Sequence, residues 1–182
     1  MNVWANAVVT DKGHALLAKL TQGNTLNITR AITGAGFVTP GILSKQTEVT
    51  EPKQSLTFRT VTYPAKGKCA FPVILTNDGL ATGYSATQVG LFAMDPDEGE
   101  ILFLIVQSTD ADTGTIIPGE KDMPGYCAEW TFYFQYGQAD GVTITVDPSN
   151  TVSRSEMEDY INNQVGRFTP ITEEQIRALF GS

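Results

Sequence analysis

Apolar and polar positions alternate with a period of two through the middle of this chain, and helical spacing is confined to its two ends. Near the N-terminus, Leu16, Leu17 and Leu20 share one helical face behind Thr10, a residue suited to N-capping. Gly23 is placed to close that helix in a left-handed C-cap. Leu26, Ile28 and Ile32 then alternate as a strand with a common core face. Next come residues 33–41, where glycines break both periods and a loop is expected.

From residue 56 to residue 146 the chain is rich in Thr, Val, Ile, Phe and Tyr between turn residues. The pattern predicts strands over 56–63, 69–76, 84–94, 100–107, 127–136 and 142–146. Two glycine-containing connections, 95–99 and 137–141, are expected to make antiparallel hairpins. Residues 108–124 are acidic, rich in Gly and Pro and nearly aperiodic, so an exposed, mobile loop is expected there. In the strand over 127–136, Ala128, Trp130, Phe132, Phe134 and Tyr136 form the core face. Tyr133 lies on the opposite, polar face as a candidate contact residue.

Beyond Pro148 the period becomes helical. Ser153 and Glu156 have capping-box spacing, and Met157, Tyr160, Ile161 and Val165 form a stripe. A last short helix opens at Thr172 and carries Ile176, Leu179 and Phe180 on one face, the candidate inter-chain contact. So short a helix is marginal alone, and its apolar face must dock on this chain or on a partner. The fold class expected is α+β: mainly antiparallel β, sandwich-like, with an N-terminal helix and short C-terminal helices. The expected division is a β-rich domain over 1–148 and a helical appendage over 149–182.

Composition narrows the functions. The chain has 182 residues, 41% of them hydrophobic and 18% charged, which is globular rather than disordered. Its net charge is −8 and its cations are scattered, so no phosphate-neutralising patch is offered and neither nucleic acid nor an anionic membrane is an expected partner. The first ten residues lack the basic and apolar regions of a secretion signal. The longest strongly apolar run, residues 101–106, is far short of the ~20 residues of a membrane span. Synthesis in a cytoplasm is expected.

Candidate chemistry is sparse. Cys69 and Cys127 lack the spacing of a zinc or redox pair and are expected as buried, inert thiols, although sequence alone leaves a disulfide open. His14, the single histidine, is expected to face solvent from the first helix. Asp95, Asp97, Glu98 and Glu100 lack the twelve-residue EF-hand pattern and read as a hairpin turn, and Asp110 and Asp112 read likewise. Gly34-Ala35-Gly36 begins like a dinucleotide loop but lacks its third glycine and adjoining helix, so a turn is expected. No cofactor, metal or catalytic activity is expected.

Several segments together are distinctive: Leu16 to Lys19 in the first helix, Ile28-Thr29-Arg30-Ala31-Ile32-Thr33-Gly34-Ala35-Gly36, and Thr76-Asn77-Asp78-Gly79-Leu80 with Gly83-Tyr84. Gln88-Val89-Gly90-Leu91-Phe92-Ala93, the run from Asp95 to Leu102, and the stretch from Val142 to Pro148 complete them. In these the chain, over about residues 1–150, resembles the N-terminal domain of phage tail-collar fibre proteins, and the specific part is 76–102. It departs from that pattern at Gln88, where an acidic residue is expected, and it carries no long repetitive shaft. The resemblance implies a structural component of a phage or prophage tail, made in the bacterial host cytoplasm and resident in the virion tail. Such an adaptor would attach a fibre or appendage to the baseplate, with other tail or baseplate proteins as partners. A homo-oligomer, commonly a trimer in tail fibres, is also implied. A binding module for a cell-surface carbohydrate or receptor, working through residues 108–124 and Tyr133, is the alternative expectation.

Overall fold

The computed structural model describes residues 3–20, 25–65, 68–135 and 144–146. In chain order the elements are β1 (Val8–Val9), α1 (Asp11–Leu20), β2 (Leu26–Gly34), a 3-10 turn (Pro40–Lys45), β3 (Pro52–Phe58), β4 (Thr62–Ala65) and β5 (Lys68–Thr76). Then come β6 (Tyr84–Ala86), β7 (Gln88–Asp95), β8 (Gly99–Gln107), β9 (Thr115–Ile117), β10 (Cys127–Gln135) and β11 (Ile144–Val146). The main sheet runs β1-β8-β7-β2-β3-β5-β10, with β4 on β5 and β11 on β2, while β6 and β9 form a small separate ladder. Among the described residues the architecture is α+β and mainly antiparallel β, as expected.

α1 starts where the pattern placed it. The Thr10 hydroxyl accepts from the Gly13 amide at 2.9 Å and donates to the Leu102 carbonyl, so one side chain both caps the helix and ties it to β8. Leu16 and Leu20 are buried against the sheet and His14 is exposed. Gly23 lies outside the described residues.

The sheet has two apolar faces, assembled row by row across β2, β7 and β8. Ile28, Ala93 and Ile101 align, as do Ala31, Leu91 and Leu104, then Thr33, Val89 and Val106; the apolar members of these rows face the larger core. The intervening rows, Phe92 with Leu102 and then Ile32, Gly90 and Ile105, face a smaller core closed by Leu43 and Val49. Two bulges set this phase. The ladder skips Thr29 in β2 and Phe103 in β8, both beside Phe92 of β7. The expectation that Ile32 would share a face with Leu26 and Ile28 is therefore corrected, since one extra residue in a strand reverses the facing of the residues beyond it.

The same bulges help the sheet curl, so distant strands meet across the core. Phe103 of β8 and Phe134 of β10 stack edge to face at 5.3 Å, and Trp4 and Trp130 do so at 5.9 Å.

Other expectations are also corrected. Gly34-Ala35-Gly36 is not a turn: the Ala35 and Gly36 amides donate to the carbonyls of Glu51 and Thr50, continuing the β2–β3 pairing. A side chain at Gly36 would meet Thr50, which is why small residues belong there. The strand expected over 56–63 begins at Pro52 and breaks after Phe58, and the one over 84–94 divides at Thr87. There the Thr87 hydroxyl donates to Gly36 at 2.6 Å. Residues 108–124 are not a free loop. They contain β9, whose Ile117 is fully buried, and the Asn77 amide nitrogen donates to Pro118 at 3.0 Å and to Met123 at 2.8 Å.

The connection 137–141 lies outside the described residues, but the strands it joins are not an antiparallel pair. β10 pairs with β5 along all nine of its residues, whereas β11 runs parallel to β2 with Val146 opposite Ile28. Ile28 already faces β7 on one side, and β3 pairs only from Ala31 onward. β11 thus occupies the stretch of β2 that β3 leaves open, where bare backbone would otherwise be unpaired.

The cysteine expectation holds for one residue only. Cys69 is buried and Cys127 exposed, and both are free. Cys69 sits opposite Phe134 and Cys127 opposite Thr76, seven β5 positions apart, hence roughly 23 Å at about 3.3 Å per residue; no disulfide spans that. Burial pushes the Cys69 thiol up to about 12.

Candidate functional site

The curled sheet leaves a seam between its two terminal strands. On one side the N-terminal segment runs along β8: Trp4 bridges to Ser108, the Ala5 amide donates to the Gln107 carbonyl at 2.9 Å, and β1 continues the pairing. On the other side lies β10. Between them is a groove of about 460 Å³, walled by Ala5–Ala7 and by β10 from Trp130 to Tyr133, with Trp4 and Val106 also lining it. The two indoles close the seam by side-chain contact. The Trp4 ring is fixed by its Nε1–H donating to the Thr115 hydroxyl at 3.1 Å, so β9 orients a ring of the groove.

Pro72 in β5 reveals how the backbone of β10 is disposed. Its carbonyl accepts from the Arg59 amide at 2.9 Å, on the β3 side, and it has no N–H to offer. In an antiparallel ladder both polar groups of a residue point the same way, and alternate residues point oppositely. Pro72 therefore turns away from β10, and its partner Thr131 turns away from β5. Tyr133, two positions on, does the same. Trp130 and Phe132 carry the pairing with Val73 and Phe71, while the N–H and C=O groups of Thr131 and Tyr133 face the open edge.

Tyr133, expected as a contact residue, stands at this rim with 73% of its surface exposed. Ile176, Leu179 and Phe180 lie outside the described residues. Trp4 was missed: its stretch of sequence read only as lacking a secretion signal. Trp130 read as core, which is half of its role. The only signal was Trp130 within a predicted strand, and which edges meet is set by the curl.

Among the described residues the groove lining carries no carboxylate, imidazole, thiol or ammonium group. Glu129, just beyond it, is paired with Arg59 at 2.8 Å. The arrangement offers apolar rings, small side chains, the Thr131 hydroxyl, the Asn6 amide and backbone hydrogen-bonding groups, which are the materials of recognition.

Of the carboxylates singled out in the sequence, Asp95 holds the β7–β8 turn, Asp97 and Glu98 pair with Lys19 and Lys12, and Glu100 pairs with Arg30. Asp95 Oδ1 accepts from the amides of Asp97 and Glu98 at 2.8 and 3.1 Å, and both Asp95 oxygens accept from Lys19 Nζ at 2.8 Å. The Lys19 hydrogen bond holds the Asp95 carboxyl below its ordinary pKa against the opposing effect of burial, and the turn amides add to it. Lys19 is raised to about 12 by Asp95 and Asp97. Asp110 accepts from the Asp112 amide in a local turn. Among the described residues no three His, Cys, Asp or Glu side chains converge as metal ligands, and no helix is long and apolar enough to cross a membrane.

Comparisons with protein families, with curated proteins and with solved structures found no match to this chain.

Proposed function

We propose that this chain is a structural connector of a phage or prophage tail, an adaptor that attaches a fibre or appendage to the baseplate and performs no chemistry on a substrate. The observation that carries this reading is the resemblance over 76–102, together with the use the fold makes of those residues. Asn77 ties down the segment of β9. Gly79 and Gly99 adopt φ of +74° and +82° at turns, and Gly90 leaves space for Val49 and Leu102. These residues build a scaffold whose outer edges remain for partners. The neutral, aromatic groove fits assembly by surface burial and backbone pairing.

Antibodies to the purified chain, applied to tail particles from the producing culture in immunoelectron microscopy, are expected to label the baseplate end. Intact particles without label, and without the chain by mass spectrometry, overturn the reading. Light scattering of the purified chain tests the homotrimer, which predicts three times the 19.7 kDa chain mass. The second reading, a carbohydrate or receptor module, is favoured by one feature, the Trp4, Trp130 and Tyr133 rings about one groove. A glycan array with hits lost on Tyr133→Ala would select it over the connector.

A further inference from the structure

The edge of β10 is unusual in being exposed, long and unpaired on one side among the described residues. Natural sheets blunt such edges with charge, proline or bulges. β10 has none of these between Trp130 and Gln135, and its register with β5 is uninterrupted. Its one charged residue, Glu129, is paired with Arg59.

We propose that this edge, at Thr131 and Tyr133, is a docking site for an extended, uncharged segment of a partner protein, which adds to β10 as a further strand. Backbone geometry argues for a peptide. Thr131 and Tyr133 present two donor–acceptor pairs two residues apart, the spacing that an added strand satisfies. The neutral lining of a chain that carries −8 overall argues for an uncharged occupant. Alternate side chains of the added strand would point to the rings of Trp4 and Trp130 and to solvent, so apolar and hydroxyl-bearing residues should alternate.

Size argues for a segment rather than a globular face. From Trp130 to Tyr133 the wall is roughly 10 Å long at about 3.3 Å per residue, room for three or four residues. A free-standing interface needs about 1,200 Å² or more, so the docked strand must belong to a partner held at further points. The inference rests on the connector reading for the source of that partner, but the edge itself is testable with purified components.

The 182-residue chain, immobilised, is used to select from a phage-displayed random dodecapeptide library. Enriched peptides are expected to be uncharged and alternating. Their synthetic forms should bind with Kd at least tenfold weaker to Thr131→Pro and within twofold of wild type to Gly41→Ala, a position outside the groove lining whose added Cβ meets nothing within 4 Å. Proline removes an N–H that the fold does not use, so Thr131→Pro should keep its circular dichroism. If it does not fold, the same peptide N-methylated at alternate residues replaces it, and only the methylation phase that faces β10 should abolish binding to the wild-type chain. Three results overturn the proposal: no alternating sequence enriched; binding indifferent to both the proline and the methyl groups; or a fall in solution mass on Thr131→Pro, which would make the occupant a second copy. Because neither particles nor a fibre enter this test, it fails separately from the tail reading.

Discussion

Gln88 donates from Nε2 to Oε1 of Gln107 at 2.7 Å, and both side chains are buried on the sheet face beneath the segment before β3. Gln88 Oε1 accepts from the Thr50 amide at 2.7 Å, its Nε2 also donates to Gln46, and Gln107 spans the amide and carbonyl of Val38. Two glutamines thereby hold a covering segment at both ends. Gln88 stands where the resemblance leads one to expect an acidic residue, and the geometry accounts for the amide: two neighbouring acceptor oxygens need a donor. Gln88→Glu would turn those contacts into oxygen facing oxygen with a buried charge. The expected cost is about 3 kcal/mol or more, read as a lower urea midpoint at constant m.

Asp95 and Lys19 join the β7–β8 turn to α1, and their shifts set the pH response. The folded pKa of Asp95 lies below its unfolded value, so its contribution is complete above about pH 4 and is lost as pH falls through the folded pKa. Lys19 is raised, so its share is complete below about pH 10 and disappears as pH climbs through about 12. Thermal midpoints should therefore drop at both extremes. In Asp95→Asn the acid-side drop should shrink; an unchanged acid slope would show that other carboxylates control it.

Gly13 lies inside α1, where alanine normally gains about 1 kcal/mol. Here a Cβ would press into the Phe103 carbonyl oxygen, a backbone atom that cannot swing aside. Overpacking of that kind costs about 1–3 kcal/mol and wins, so Gly13→Ala is expected to lower the thermal midpoint. Gly41→Ala, which meets nothing within 4 Å, should leave it unchanged or slightly raised. Equal behaviour of the two variants would contradict the packing of α1 on β8.

Thiol reactivity separates the cysteines. Cys127 is exposed, with its pKa nudged upward by burial of the sulfur and by Glu129, while Cys69 is sealed in the core. Titration of the native chain with an aromatic disulfide reagent should release one equivalent slowly and the second only in denaturant. Cys127→Ser should abolish the native signal.

The sequence by itself determined the class of the molecule and much of its local structure. Thr10 and the Leu16–Leu20 spacing specify α1, the 95–99 turn specifies the β7–β8 hairpin, and the alternation from Ala128 to Phe134 specifies which side of β10 is core. Each is a short-range matter of capping, turn chemistry or side-chain period, decided within a few residues. Tertiary structure decided the rest. The skipped residues Thr29 and Phe103 reverse facing because the ladder beside Phe92 requires it, β11 lies parallel to β2 because β3 stops short, and Ile117 is buried because Asn77 anchors the segment after it. The groove belongs to this second group: Trp4 and Trp130 are far apart in the chain, and only the accumulated curl of the intervening strands brings their edges together.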